Sequence, residues 1–203
     1  MGRPVVTAMG ALTAGAVAGL AGGTALLARQ SSAHLQAQYL PAAGRELVAA
    51  PDFTLNDQNG KPISLHSFAG HTVLVTFLDP LCTEGCPIAG RELAAIEAKL
   101  DTAPTLLVVS VAPDRTAADV EHFTAPLNWR PGWHWLLGTQ AELAPVWAAY
   151  HIAVQATAHD VLHDQSLEII NPQSQIRAEY AAPLPIDEVT RLIQTTQHSE
   201  VRT

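Results

Sequence analysis

The chain has 203 residues, enough for one domain of ordinary size and something extra. Charged residues make up 15%, against roughly 25% in an average soluble protein, and 19 acids against 11 bases leave a formal charge of −8. No block of Lys or Arg exists, which argues against a nucleic-acid partner. Cys82 and Cys86 are also too few for a four-cysteine zinc site or a multi-disulfide scaffold.

The missing charge is concentrated at one end. Residues 4–28 form an uncharged, Ala- and Gly-rich run of 25, flanked by Arg3 and Arg29. About 20 apolar residues span a bilayer as a helix, whereas the core of a signal peptide runs about 7–15. Residues 1–29 therefore read as an N-terminal membrane anchor, with a cleaved signal segment as the alternative. Gly15, Gly19 and Gly23 repeat at the spacing of a helix-pairing face, a pattern that Ala/Gly-rich segments also generate by chance. An anchor of this kind places the rest of the chain on the extracytoplasmic side of the cell membrane. Beyond residue 30, nine bases face nineteen acids, a net of −10. Residues 30–50 are polar and Ala-rich and read as a linker before a domain at 51–203.

Residues 53–55 and 62–65 are short strands joined around Asn59-Gly60, a strong hairpin signal. Residues 71–78 (HTVLVTFL) and 105–111 (TLLVVSV) are β-branched apolar runs suited to strands buried on both faces. Between them, Leu93, Ile96 and Leu100 share one helical face. Thr116 and Asp119 stand at capping-box spacing before a helix ending near residue 125. Residues 133–137 form a third strand. Thr139 and Glu142 make a second capping box, and Pro145 predicts a kink or a later start in that helix. Residues 165–170 and 176–180 are strands around a turn at 171–174, and a final helix follows Pro185. Strands alternating with helices predict a mixed α/β sheet with an N-terminal β-hairpin and a terminal antiparallel pair.

The two cysteines lie in Asp79-Pro-Leu-Cys82-Thr-Glu-Gly-Cys86-Pro87, after a buried strand and before an amphipathic helix. Sites collect at such strand ends, and a helix N-terminus favours a thiolate. Whether the segment is helical or a small loop, both sulfurs can reach one ion or each other.

This unit, together with Phe53-Thr-Leu-Asn-Asp-Gln-Asn-Gly-Lys-Pro-Ile-Ser-Leu65, resembles the Sco (SenC) family over about residues 51–197. The resemblance implies a three-layer thioredoxin-like fold on a membrane tether. It also implies a copper chaperone of cytochrome c oxidase assembly rather than an enzyme. In that family both cysteines and a distant histidine bind one copper ion, as Cu(I) or Cu(II). The histidine precedes an apolar strand and an Asn/Asp-Pro turn, which here selects His163 and gives the ligand set Cys82, Cys86 and His163. Soft thiolates with an imidazole suit copper, and three ligands are too few for structural zinc. The implied partners are the copper-bearing subunit of an oxidase, or another copper protein, and a thiol reductant.

Two positions depart from the family pattern. Leu162 stands where an Asp often precedes the histidine, leaving Asp160 or Asp164 to orient the imidazole. The loop after the second buried strand, residues 112–116, is less acidic than usual. His159 is the rival ligand. His66, His71, His122, His134 and His198 read as solvated, and the four tryptophans as core or rim. The competing function is a thiol–disulfide oxidoreductase that uses Cys82 and Cys86 as a redox pair, although its usual spacing is Cys-x-x-Cys. A peroxidase fits poorly, because no Pro-x-x-x-Thr-x-x-Cys pattern is present.

Overall fold

A computed structural model of the chain describes residues 47–157 and 160–200. The proposed anchor, most of the linker and His159 lie outside the described residues. Among the described residues no helix is long and apolar enough to cross a membrane.

The strands are β1 (Val48–Ala49), β2 (Thr54–Asp57), β3 (Pro62–Ser64), β4 (Val73–Leu78), β5 (Thr105–Ser110), β6 (Trp133–Leu137), β7 (Val154–Ala156), β8 (Val161–His163), β9 (Ser166–Ile170) and β10 (Gln175–Ala181). The helices are α1 (Gly85–Glu97), α2 (Ala117–Thr124), α3 (Gln140–Ala149) and α4 (Ile186–Glu200). The main sheet runs β1-β10-β9-β4-β5-β6-β2-β3. Its centre, β4-β5-β6, is parallel, and β9 joins β4 antiparallel. The N-terminal hairpin docks on the outer edge of β6.

Alternation along the central strands builds two cores. Leu74, Leu78, Leu106 and Val108 face one side, where α1 brings Leu93 and Ile96, α2 Phe123 and α4 Ile193. Val73, Val75, Phe77, Leu107 and Val109 face the other, where α3 brings Leu143 and Trp147 and the hairpin brings Leu55 and Ile63. The result is the expected mixed sheet between two outer layers.

Several details differ from the sequence reading. The end of the expected linker is a strand, because Val48 and Ala49 pair with the free backbone edge of β10. Helix α3 starts at once at Gln140 and keeps Pro145 inside it. The capping box supplies its first turn, with the Thr139 N–H and Oγ1–H both donating to Glu142. Burial of Leu143, Val146 and Trp147 offsets the hydrogen bond that proline cannot make. His134 is not solvated: its Nδ1 lies 3.1 Å from Asp57 Oδ2. Burial alone would raise the Asp57 carboxyl, but the Lys61 and Asn59 N–H groups and His134 outweigh it and hold the carboxyl below its ordinary value. Gly60 closes the same hairpin at φ 74, where a side chain would be strained. Trp129, Trp135 and Trp147 are core, and Trp133 packs half-buried against it.

The C-terminal end of α1 is closed by one side chain. The Arg130 guanidinium donates to the carbonyls of Glu97 (3.3 Å), Leu100 (2.7 Å) and Asp101 (3.2 Å), while its backbone N–H donates to Glu97 Oε2 (3.0 Å). Cationic donors at helix carbonyls are favourable, and hydrogen bonds to charged groups contribute about 1.5–3 kcal/mol each. Arg130→Met is expected to cost about 2–3 kcal/mol, because water can replace only some of these bonds. A denaturant midpoint equal to wild type would refute this role.

Candidate metal centre

The site forms where β4 ends. Its terminal residue Leu78 is buried, and the chain then turns through Asp79, Pro80 and Leu81 before α1 starts at Gly85. Cys82 lies in this loop, half-buried, and Cys86 lies in the first helical turn, fully buried. Pro87 also sits in that turn, where a missing N–H costs nothing. Glu84, at the N-cap position, makes no side-chain cap bond. Its place is taken by a sulfur: the Cys86 N–H points at Cys82 Sγ, 3.5 Å away. The Asp79 N–H in turn donates to Cys86 Sγ at 3.5 Å. Each sulfur therefore faces a backbone donor, Cys82 one from the first turn of α1 and Cys86 one from the residue after β4.

His163 arrives from far along the chain. It ends β8, which pairs antiparallel with β7 as a separate two-stranded ribbon inserted between α3 and β9. This ribbon was not evident in the sequence, because its strands are only three residues each. Its base is locked by Asp164, whose N–H donates to Ala153 O (3.1 Å) and whose carboxylate accepts from Ala153 N–H (3.0 Å). His163 Nε2 lies 3.4 Å from Cys86 Sγ. Its Nδ1 lies 2.9 Å from the backbone carbonyl of Asp164. A carbonyl can only accept, so Nδ1 carries a proton and Nε2 presents a lone pair to the cysteine.

The imidazole is thus oriented by Asp164, but through its main chain rather than its carboxylate. The Asp160 carboxylate accepts instead from the Val161 N–H at 2.8 Å. Gly85 lets the ribbon approach: the Gln165 carboxamide fills the space where a Cβ would stand.

The three sequence-selected residues are linked in pairs, with Cys86 as the hub. Among the described residues no trio of His, Cys, Asp and Glu is already arranged to hold an ion. Burial pushes the Cys86 thiol well above its ordinary pKa, and the neighbouring Cys82 and Asp79 add to this despite the Asp79 N–H. Cys86 is therefore a thiol at neutral pH and can donate to Nε2. A metal ion must displace that proton, so loading releases it. The donor set, two soft sulfurs and one free imidazole nitrogen, fits a soft monovalent cation.

Asp79 and Arg115 belong to the site and were missed in the sequence. The Arg115 Nε and Nη2 donate to Asp79 Oδ1 and Oδ2 at 2.9 and 2.8 Å. The only available signal was an acid placed directly after a wholly buried strand. Exposed apolar side chains flank the site. Leu81, Ile88 and Leu162, each next to or two residues from a cysteine or His163, are 48%, 49% and 57% exposed. A groove of about 470 Å³ runs from Cys82 past Pro87 to Phe123 and Leu127, with Arg91 on its wall.

A cysteine pair at a strand-to-helix turn of a three-layer mixed α/β fold, met by a histidine from an inserted ribbon, defines a thioredoxin-like protein with a thiol and imidazole site. The SCO1/SenC family model matches residues 42–198, and the chain belongs to that family. A protein of Stutzerimonas stutzeri described as copper-binding is 26% identical over 153 residues, covering 71% of this chain and 75% of its own. Among solved structures, the copper-bound ScoI of Arabidopsis thaliana superposes with a TM-score of 0.66 at 19% identity, over 75% of this chain and 99% of its own. The copper-bound ScoI of Bradyrhizobium japonicum gives 0.62 at 20% identity, over 73% and 99%. A SCO1/SenC lipoprotein of Bacillus anthracis gives 0.68 at 18% identity, over 77% and 99%. At these identities the structural likeness establishes the fold.

Proposed function

We propose that this chain is a membrane-tethered, extracytoplasmic copper-binding protein. It delivers copper to, or helps assemble, the copper centre of a respiratory cytochrome c oxidase. Copper is its cargo, held by Cys82, Cys86 and His163. The observation that carries this reading is the His163 imidazole, oriented through Nδ1 and set with Nε2 3.4 Å from Cys86 Sγ across 77 residues of chain. A redox cysteine pair needs no such histidine. Family membership and the copper-binding relative support the same reading.

Cys82 is the more exposed sulfur and meets an incoming donor first. Cys86 then closes the site as its proton leaves to solvent. Both sulfurs must be reduced for this, so a thiol reductant is required. The exposed apolar side chains around the site suit a protein acceptor that covers them during transfer.

A specific observation also favours the thiol–disulfide reading: a half-exposed cysteine over a buried one has the layout of an attacking and a resolving thiol. One experiment separates the two. The full-length chain is loaded with one equivalent of Cu(I) and mixed with the metal-free copper-bearing subunit of an oxidase. Transfer that is lost in Cys82→Ala and Cys86→Ala and altered in His163→Ala supports copper delivery. Efficient reduction of that subunit's disulfide by the metal-free chain, equally well with His163→Ala and without transfer, would establish the oxidoreductase instead. Retention of the chain in the membrane fraction after a carbonate wash tests the tether at residues 1–29.

A further inference from the structure

We propose that the Asp79–Arg115 ion pair is the positioning device that sets the spacing of the two sulfurs, and with it the affinity of the site for a soft cation. The affinity part rests on the copper reading above. The spacing part does not, because it can be measured without metal.

Asp79 bonds to both cysteines and to the turn between them and β4. Its N–H donates to Cys86 Sγ (3.5 Å), and its carbonyl accepts from the Cys82 N–H (3.2 Å). Its Oδ1 accepts from the Leu81 N–H (3.0 Å), tying the side chain to the middle of the turn. The orientation of one residue therefore governs both cysteines. That orientation is fixed by a bidentate fork, in which both carboxylate oxygens are occupied by Arg115. Such a fork constrains angle as well as distance, which a lysine cannot do.

Arg115 is itself held from both sides. Asp114 before it adopts φ 60, a left-handed conformation that Asp tolerates. Thr116 after it is the N-cap of α2 in a closed capping box with Asp119. The β5–α2 connection thus presents the guanidinium rigidly to the end of β4. Burial makes the pair consequential. The Asp79 side chain is 3% exposed and that of Arg115 25%. Without the guanidinium, a buried carboxylate would stand beside sulfurs that become anionic on loading, and like charges in a poorly solvated site repel strongly.

The test uses the full-length chain with Asp79→Asn, Arg115→Ala and Arg115→Lys. Asp79→Asn retains the turn bond to Leu81, and Arg115→Lys retains the cation, so both protect folding. Three quantities are compared: Cu(I) affinity against a competing chelator, the Cys82–Cys86 dithiol–disulfide equilibrium in metal-free glutathione buffers, and denaturant stability. Asp79→Asn and Arg115→Ala are expected to weaken Cu(I) binding about 10–100-fold, with Arg115→Lys between them and wild type. The same variants should move the glutathione midpoint about tenfold toward the dithiol, since loosely held thiols close a disulfide less readily. Lower stability with an unchanged glutathione midpoint and copper affinity within twofold of wild type would overturn the proposal. If the wild-type chain binds no copper, the copper reading falls. The glutathione midpoint then decides this inference alone: a shift sustains it and no shift overturns it.

Discussion

Cys86→Ala is expected to weaken Cu(I) binding by roughly 10³-fold, about 4 kcal/mol, and His163→Ala by much less. Cu(I) is soft and is largely satisfied by two thiolates. Removing either sulfur leaves one thiolate and an imidazole, whereas removing His163 leaves the sulfur pair intact. Cu(II) is harder and depends more on nitrogen, so His163→Ala should cost it more than it costs Cu(I). Cys82→Ala should resemble Cys86→Ala in affinity but not in stability. Cys86 is a fully buried member of the core, whereas Cys82 is only partly buried against it. Titration of each full-length variant with Cu(I) under a competing chelator, and with Cu(II) by its thiolate charge-transfer absorption, reads out the order. Wild-type affinity in Cys86→Ala would place the copper elsewhere.

The second large effect is on stability. Glu168 occupies the middle of β9, buried at 2% exposure, between Val75 on β4 and Glu179 on β10. Ser166 Oγ donates to its Oε1 at 3.1 Å, and Oε2 has no partner. Burial is the main cause that raises its carboxyl from 4.5 to about 8, and the like charge of Glu179 adds to it. Below pH 4.5 the group is protonated in both states and costs nothing. Between 4.5 and about 8 the folded chain keeps a proton that the unfolded chain releases, so stability falls as pH rises. Above 8 the penalty is complete, on the order of 5 kcal/mol. Glu168→Gln keeps the shape and removes the titration. Its denaturant stability should exceed that of wild type by a few kcal/mol at pH 9, with the gap closing toward pH 5. Parallel pH profiles for the two proteins would sink this account.

Much of this protein is legible along the chain. Residues 71–78 and 105–111 read as buried strands because both their faces are apolar, and both are central. The two capping boxes are local chemistry and form as read. The hairpin around Asn59-Gly60 forms because its turn is local: Gly60 takes the positive φ, and Asp57 Oδ1 accepts from the Asn59 and Lys61 N–H groups. Pro145 misleads, since a local rule meets three buried side chains on the same helix. His134 misleads too, because its partner Asp57 is 77 positions away.

The division at the site follows the same physics. Residue types along the chain set the chemistry of the donors: two sulfurs at a strand-to-helix turn, on a chain whose alternating apolar runs dictate a sheet between outer layers. Resemblance added His163 as the distant partner. Tertiary structure alone decided that His163 comes from a short inserted ribbon, that a main-chain carbonyl sets its tautomer, and that Cys86 is sealed in the core while Cys82 is not. It also decided that an acid after β4 meets an arginine 36 residues later and becomes the loop's anchor. Residue types and short periodicities carry the first kind of information, because they depend on neighbours along the chain. The second kind depends on which distant groups the packed sheet brings within hydrogen-bonding reach, and no local pattern records it.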